Sequence, residues 1–345
     1  MLVVDMEGAQ RLCALLSRVR RGETLSDVQL QDVLASNAFF VDFYSGWEGL
    51  DRQRIAEALI QFDEPGRHTG SLADRLAEGF RQAADEMDVI ESRMDWLASV
   101  DPAAVSDRVL ASVPRGTPLD SIIHITVDAI NGAFAYRDEM GVSLLKGATD
   151  RQTFEDAVAH ELHHVCFRFW AERDRARQKL KQERSGRAVA VLHVENLLSE
   201  GMANYYCSPR YVLETRLDRP PGDAYAARLA RLRREEDQFF SKAGAILGMS
   251  LESDAHYESC LKAYESLAMD MEDFQLPAAH YLGARMVQAM DGAYPRERII
   301  ECIQDLSRFL PLYNKAAEQV ASYRFDPGLV WQFGQLFGAR DPENE

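Results

Sequence analysis

The 345-residue chain contains no apolar run near the roughly 20 residues that a membrane span needs, so a membrane-spanning protein is not expected. It contains no Cys-x-x-Cys pair. Its five cysteines, Cys13, Cys166, Cys207, Cys260 and Cys302, are scattered and odd in number. That argues against a disulfide framework or a thiolate zinc site and suits reduced thiols in the cytoplasm. The stretch from Met1 to Glu7 lacks a basic head followed by a long apolar segment, so no secretory signal is expected. Positive charge is also scarce: 39 Lys and Arg face 55 Asp and Glu, a formal net charge of −16. A surface this acidic repels nucleic acid and anionic lipid, and neither is expected as a partner. Internal repeats and low-complexity tracts are absent.

What the chain does have is helical periodicity. Residues 70–98 carry Leu72, Leu76, Phe80, Met87, Ile90, Met94 and Leu97 at three- to four-residue spacing without a proline, which predicts one long amphipathic helix. Similar patterns cover about 5–20, 51–62, 101–112, 153–183, 187–206, 223–247, 252–268, 278–291, 295–309 and 311–323. Pro65-Gly66, Pro114, Pro220-Pro221-Gly222, Pro277, Pro295 and Pro327 punctuate them. Residues 119–146 differ. The β-branched and aromatic runs Ile122–Val127, Ala133–Tyr136 and Val142–Leu145 predict two or three strands, with Asn131-Gly132 as a hairpin turn. The expected fold is mainly α (α+β), with a small antiparallel or mixed sheet beside the helix that starts near 153. The basic segment 172–187 reads as a solvated helix face ending at Ser185-Gly186.

One motif carries chemistry. His160-Glu161-Leu162-His163-His164 contains His-Glu-x-x-His on a predicted helix. Residues i and i+4 lie one turn apart on one face, so His160 and His164 can aim two imidazole nitrogens at one ion. Glu161 lies about 100° round the helix. From there it can reach a metal-bound water as a general base. The apolar stripe Phe154, Val158, Leu162, Val165 and Phe169 runs between the two histidines. The pair His160 and His163 could also chelate, but the 160/164 pair leaves Glu161 a role. The alternative is a coincidental match whose histidines are ordinary surface or core residues.

A catalytic zinc needs a third protein ligand and an open position. Residues 187–206 form an apolar helix whose polar residues His193, Asn196, Glu200 and Asn204 fall at i, i+3, i+7 and i+11, a single stripe. Buried polar groups must find partners or cost about 1–3 kcal/mol each. A metal would supply them. Glu200 is then the third ligand and Asn204 is placed to accept a hydrogen bond from a ligand imidazole, with Asn196 and His193 in support. Glu195 is the rival carboxylate, but it points off the stripe. A metal-free polar contact between helices is the alternative.

His160-Glu161 with His164, followed by Ser199-Glu200-Gly201-Met202-Ala203-Asn204-Tyr205, resembles the gluzincin clan of zinc metallopeptidases, above all its little-characterised bacterial zinc-dependent peptidases. The likeness is specific over about 120–206 and weaker over 277–310, where Ala279-His280-Tyr281-Leu282-Gly283 resembles a late helix of those proteins. The spacing from His164 to Glu200 is longer than in the aminopeptidase and thermolysin branches, which suggests an insertion at 172–187. Asn204 stands where many of the clan have Asp. Asn131–Phe134 resembles the edge strand that pairs with substrate in the clan.

The resemblance implies a zinc peptidase acting on a peptide or protein substrate, with Zn²⁺ on His160, His164 and Glu200 and with Glu161 as base. It also implies an oxyanion donor from a later helix, here Tyr281 or His280, with Tyr205, His256 and Tyr257 as outsiders. The expected organisation is a helical region over 1–115, a zincin-like metal-carrying core over 116–210 and a helical lobe over 211–345. Three other readings stand beside it: a zinc-binding helical protein without catalysis, a helical interaction protein with no metal, and a zinc hydrolase of a non-peptide amide.

Overall fold

Short apolar strands need partners before they are stable, and in this chain the first finds its partner more than a hundred residues away. In the computed structural model, which describes residues 2–47, 49–62, 71–100, 103–213, 224–269 and 276–338, the chain folds as two compact units. The first comprises residues 1–107 and 118–165, the second residues 108–117 and 166–345.

The first unit runs β1 (Leu2–Asp5), α1 (Glu7–Arg20), α2 (Asp27–Ser36), α3 (Ala38–Trp47), α4 (Arg52–Gln61), α5 (Leu72–Asp85) and α6 (Met87–Leu97). The start of α7 (Ala103–Leu110) follows, then β2 (Ser121–Thr126), β3 (Ala133–Tyr136), β4 (Glu139–Ser143) and most of α8 (Arg151–Ala171). The sheet order is β1-β2-β4-β3. β1 and β4 both pair parallel to β2, with Leu2 opposite Ser121 and Ile123 opposite Met140, while β3 pairs antiparallel to β4 and ends the order. The fold class is therefore the expected one, mainly helical with a small mixed sheet. Ile123, Ile125, Met140 and Val142 bury in its core.

Several local expectations need correction. β1 (Leu2–Asp5) is a strand at the start of the region expected to be helical. The β3–β4 hairpin turns at Arg137–Asp138, with Arg137 at φ 54°, and not at Asn131-Gly132. The latter pair belongs to a loop wound on the fully buried Asp128. Its carboxylate accepts from the Ile130 and Asn131 amides at 2.7 and 3.1 Å and from the Tyr44 hydroxyl at 2.7 Å. The predicted helix 70–98 is two helices, α5 and α6, that break at Glu86. The helices α2 and α3 are additional. Ser26 and Gln29 start α2 with a reciprocal capping box. Pro65-Gly66 and Pro220-Pro221-Gly222 lie outside the described residues.

The second unit is helical: α9 (Arg175–Gln182), α10 (Gly186–Met202) continued by a π-helical turn (Ala203–Cys207), α11 (Pro209–Val212), α12 (Ala224–Arg234) and α13 (Glu236–Leu251). It continues through α14 (Tyr257–Ala268), α15 (Ala278–Ala293), α16 (Arg296–Gln304), α17 (Phe309–Gln319) and α18 (Pro327–Gln335). The predicted helix 153–183 breaks before Asp174, whose side chain caps α9 by accepting from the Arg177 amide at 3.1 Å. The basic segment is not a wholly solvated face. Arg177 is fully buried and donates to the Ile303 carbonyl at 2.9 Å, and Lys181 pairs with Glu195 at 2.7 Å. The predicted helix 223–247 divides between α12 and α13 at Glu235.

α10 is the axis of this unit, packed by α9, α13, α14 and α15. Its crossing with α15 is made by glycines. A Cβ on Gly283 would lie 2.2 Å from the Leu197 carbonyl oxygen, and one on Gly201 would lie 2.5 Å from the Gly283 oxygen. α10 meets α13 through His193, which is buried and donates from Nε2 to the Ala243 carbonyl at 3.1 Å. Burial pushes the His193 pKa down to about 4. The five cysteines are all buried free thiols, and burial pushes Cys13, Cys166 and Cys302 up to about 12, which leaves them unreactive. Among the described residues, no helix is long and apolar enough to cross a membrane.

Two stability outcomes follow from this packing. Gly283→Ala forces a methyl against backbone that cannot yield and should cost about 2–4 kcal/mol in urea unfolding. Gly292→Ala, on the same helix with nothing within 4 Å of the new methyl, should gain up to about 1 kcal/mol. Equal effects would remove the close crossing. The second outcome concerns pH. The lowered folded-state pKa of His193 means that its neutral form stabilises the fold above about pH 6.5, and that this is lost as pH falls toward 4. Between pH 7 and 4 the wild type should lose about 3 kcal/mol more than His193→Gln.

Candidate metal centre

In the first unit, α8 carries the motif. Asp150 starts the helix by accepting from the Thr153 amide at 2.9 Å. Phe154, Val158 and Leu162 are fully buried and fix the helix's rotation. That rotation leaves His160 and His164 half-buried, one turn apart. Their Nε2 atoms approach to 3.0 Å, with rings at 80° to each other. Two nitrogens on one tetrahedral zinc, each at about 2.0–2.1 Å, stand about 3.3 Å apart. The pair is thus already close to the separation a shared zinc requires. Glu161 is buried on the neighbouring face, and His163 is buried with its ring centre 6.4 Å from that of His164.

In the second unit, Glu200 lies in the last turn of α10. Its Oε2 is 3.1 Å from Nδ1 of His280, at the start of α15. Together they offer a carboxylate oxygen and an imidazole nitrogen, donors of the kind that hold metals. Asn204 belongs to the same group in a different way from that expected. Its amide donates to the Glu200 carbonyl at 2.8 Å and reaches the Glu200 carboxylate at 3.4 Å, so it steadies the carboxylate, and among the described residues no imidazole donates to it. The rival Glu195 is engaged with Lys181.

The other sequence candidates separate from this group. His193 serves the α10–α13 contact. Asn196 keeps a buried Oδ1 without a hydrogen-bond partner among the described residues. The Tyr281 hydroxyl donates to Glu236, which also takes Arg285 at 3.0 Å, and burial together with that carboxylate raises the phenol's pKa. The structure therefore brings His280, and not Tyr281, to Glu200. Of the outsiders, Tyr257 lies under Arg184, and Tyr205 reaches Asp291 at 3.0 Å. Asp291 escaped the sequence reading. Its signal was present in the spacing 280, 284, 287, 291, which is one face of α15.

Comparison with known proteins adds one match. Residues 33–322 fit the family DUF5700, described as "Putative zinc dependent peptidase". No curated protein and no solved structure matches the chain. With most of its length covered by that match, the chain belongs to the DUF5700 family.

Proposed function

We propose that the chain is a gluzincin-like zinc peptidase in which His160, His164 and Glu200 hold the metal. The observation that carries this reading is the pair of imidazole nitrogens 3.0 Å apart on the His-Glu-x-x-His helix of a chain in this family. Two neutral histidines and one carboxylate are a recognised donor set for a catalytic zinc that keeps one position open. When bound, the ion supplies a water acidified toward neutrality and polarises the scissile carbonyl.

The remaining steps belong to side chains. Glu161 takes the proton from the attacking water and later delivers it to the leaving amine. Glu161 is buried beside the imidazole pair on the next face of α8, within one residue of His160. Asn204 holds the Glu200 carboxylate from its own helix. His280, expected from the resemblance as an oxyanion donor, sits on Glu200 and is assigned to orient that ligand. The antiparallel edge strand β3 supports an extended peptide as substrate, since an edge strand can pair with substrate backbone. The net charge of −16 favours basic or neutral peptides over acidic ones.

Elemental analysis of the purified protein should find about one zinc per chain, absent from His164→Ala. Glu161→Gln should retain that zinc and lose about 10²–10⁴-fold in turnover of a peptide library. Zinc without cleavage in the wild type would favour the non-catalytic reading, and cleavage only of small amides would favour the non-peptide hydrolase. An active Glu161→Gln would remove the general base. His280→Ala separates its two roles. Weakened zinc affinity marks an orienting residue, whereas unchanged affinity with a lowered kcat marks an oxyanion donor.

A further inference from the structure

The π-helical turn that follows Glu200 is an uncommon element, frequent at functional sites, and it needs something to hold it. Within the turn, the Ser208 amide reaches back to the Ala203 carbonyl at 3.1 Å, and Asn204 spends its side chain on Glu200. Adjacent residues on a helix diverge by about 100°. Even so, the hydroxyls of Tyr205 and Tyr206 converge on the two oxygens of a single carboxylate, Asp291, at 3.0 and 2.6 Å. The Arg296 guanidinium lies 4.4 Å over the Tyr206 ring and closes the outer side. Burial and the neighbouring carboxylate push Tyr205 up to about 12 and raise Tyr206 further, so both phenols stay donors throughout the neutral range.

Asp291 stands on the same face of α15 as His280, the residue that meets Glu200. α15 thus grips the α10 segment at three successive levels: His280 on Glu200, Gly283 against Gly201, and Asp291 on the two tyrosines. The backbone contact between the glycines fixes how near the helices lie. It fixes the rotation of the π-turn less well, because glycines carry no side chain to lock it. The hydrogen-bonded fork at Asp291 supplies that lock, five to six residues beyond Glu200.

We infer that Asp291 is a positioning residue for Glu200. By accepting hydrogen bonds from Tyr205 and Tyr206 it sets the π-turn, and the π-turn sets Asn204 and the aim of the Glu200 carboxylate. This inference rests on Glu200 being a zinc ligand. Neutral, near-isosteric Asp291→Asn leaves one good acceptor for two hydroxyls and loosens the fork without opening a cavity.

The test is zinc affinity of the full chain, measured by competition with a chromogenic chelator, beside the melting temperature of the zinc-free protein. Asp291→Asn should weaken zinc binding about 10–100-fold, the range seen when an outer partner of a ligand is lost. Its zinc-free melting temperature should stay near that of the wild type. Tyr205→Phe/Tyr206→Phe should weaken zinc to a similar extent, and combining it with Asp291→Asn should add little, since both act through one fork. If Asp291→Asn does not fold, Tyr206→Phe alone decides by the same readout. Wild-type affinity in these variants would overturn the positioning role while leaving the zinc site intact. A fall in zinc-free stability at unchanged affinity would overturn it too, by making the fork purely structural. A wild type that binds no zinc would overturn the zinc reading itself, and this inference with it.

Discussion

The second unit depends on how closely two backbones can approach at Gly201 and Gly283. With any other residue at either position, a β-carbon would meet a carbonyl oxygen at a distance that real atoms do not adopt. The register of α10 against α15 is therefore set by exclusion and not by attraction. Everything polar on the facing surfaces inherits that register. Glu200 immediately precedes one glycine and His280 lies a turn before the other, which is why a carboxylate and an imidazole meet at 3.1 Å. The same register brings the π-turn opposite Asp291. A stripe of small residues would be only a packing device if the residues beside it were apolar. Here it places charge against imidazole.

Much of this was legible because it is local. The apolar spacing of three and four locates most of the helices, and the His-Glu-x-x-His spacing locates an imidazole pair within one turn of α8. Neither depends on where the rest of the chain goes. The misreadings share the opposite property. β1 is four residues long and becomes a strand only by pairing with β2, so its own sequence carries too little signal to displace a helical reading. Glu86 and Asp174 break helices without a glycine or proline, through cap geometry that periodicity does not register. Arg177 looked solvated because it lies among exposed charges, yet it sits fully buried with its guanidinium on a carbonyl 126 residues away in sequence. His193 fell on the same stripe as Glu200, but a stripe gives an angle about the helix axis and no information about which neighbour lies at each height.

The candidate ligands of the two units differ in the same way. A histidine pair at i and i+4 declares its purpose through spacing, because one turn brings the two rings together whatever surrounds them. A lone glutamate on a distant helix declares nothing by spacing. Its evidence is the environment: α10 has no exposed side chain after Arg187, so a polar group along it either finds a partner or, like the Asn196 oxygen, stays unpaired among the described residues at a cost in stability. His193 is answered by a backbone carbonyl, Glu195 by Lys181, and Asn204 by Glu200 itself. For Glu200 the answer is an imidazole at the head of α15, together with an asparagine one turn along its own helix. Both contacts restrict where the carboxylate oxygens can lie. A carboxylate held from two sides can meet a cation without rearranging, whereas one that must first choose a rotamer would spend part of the binding energy on its own ordering.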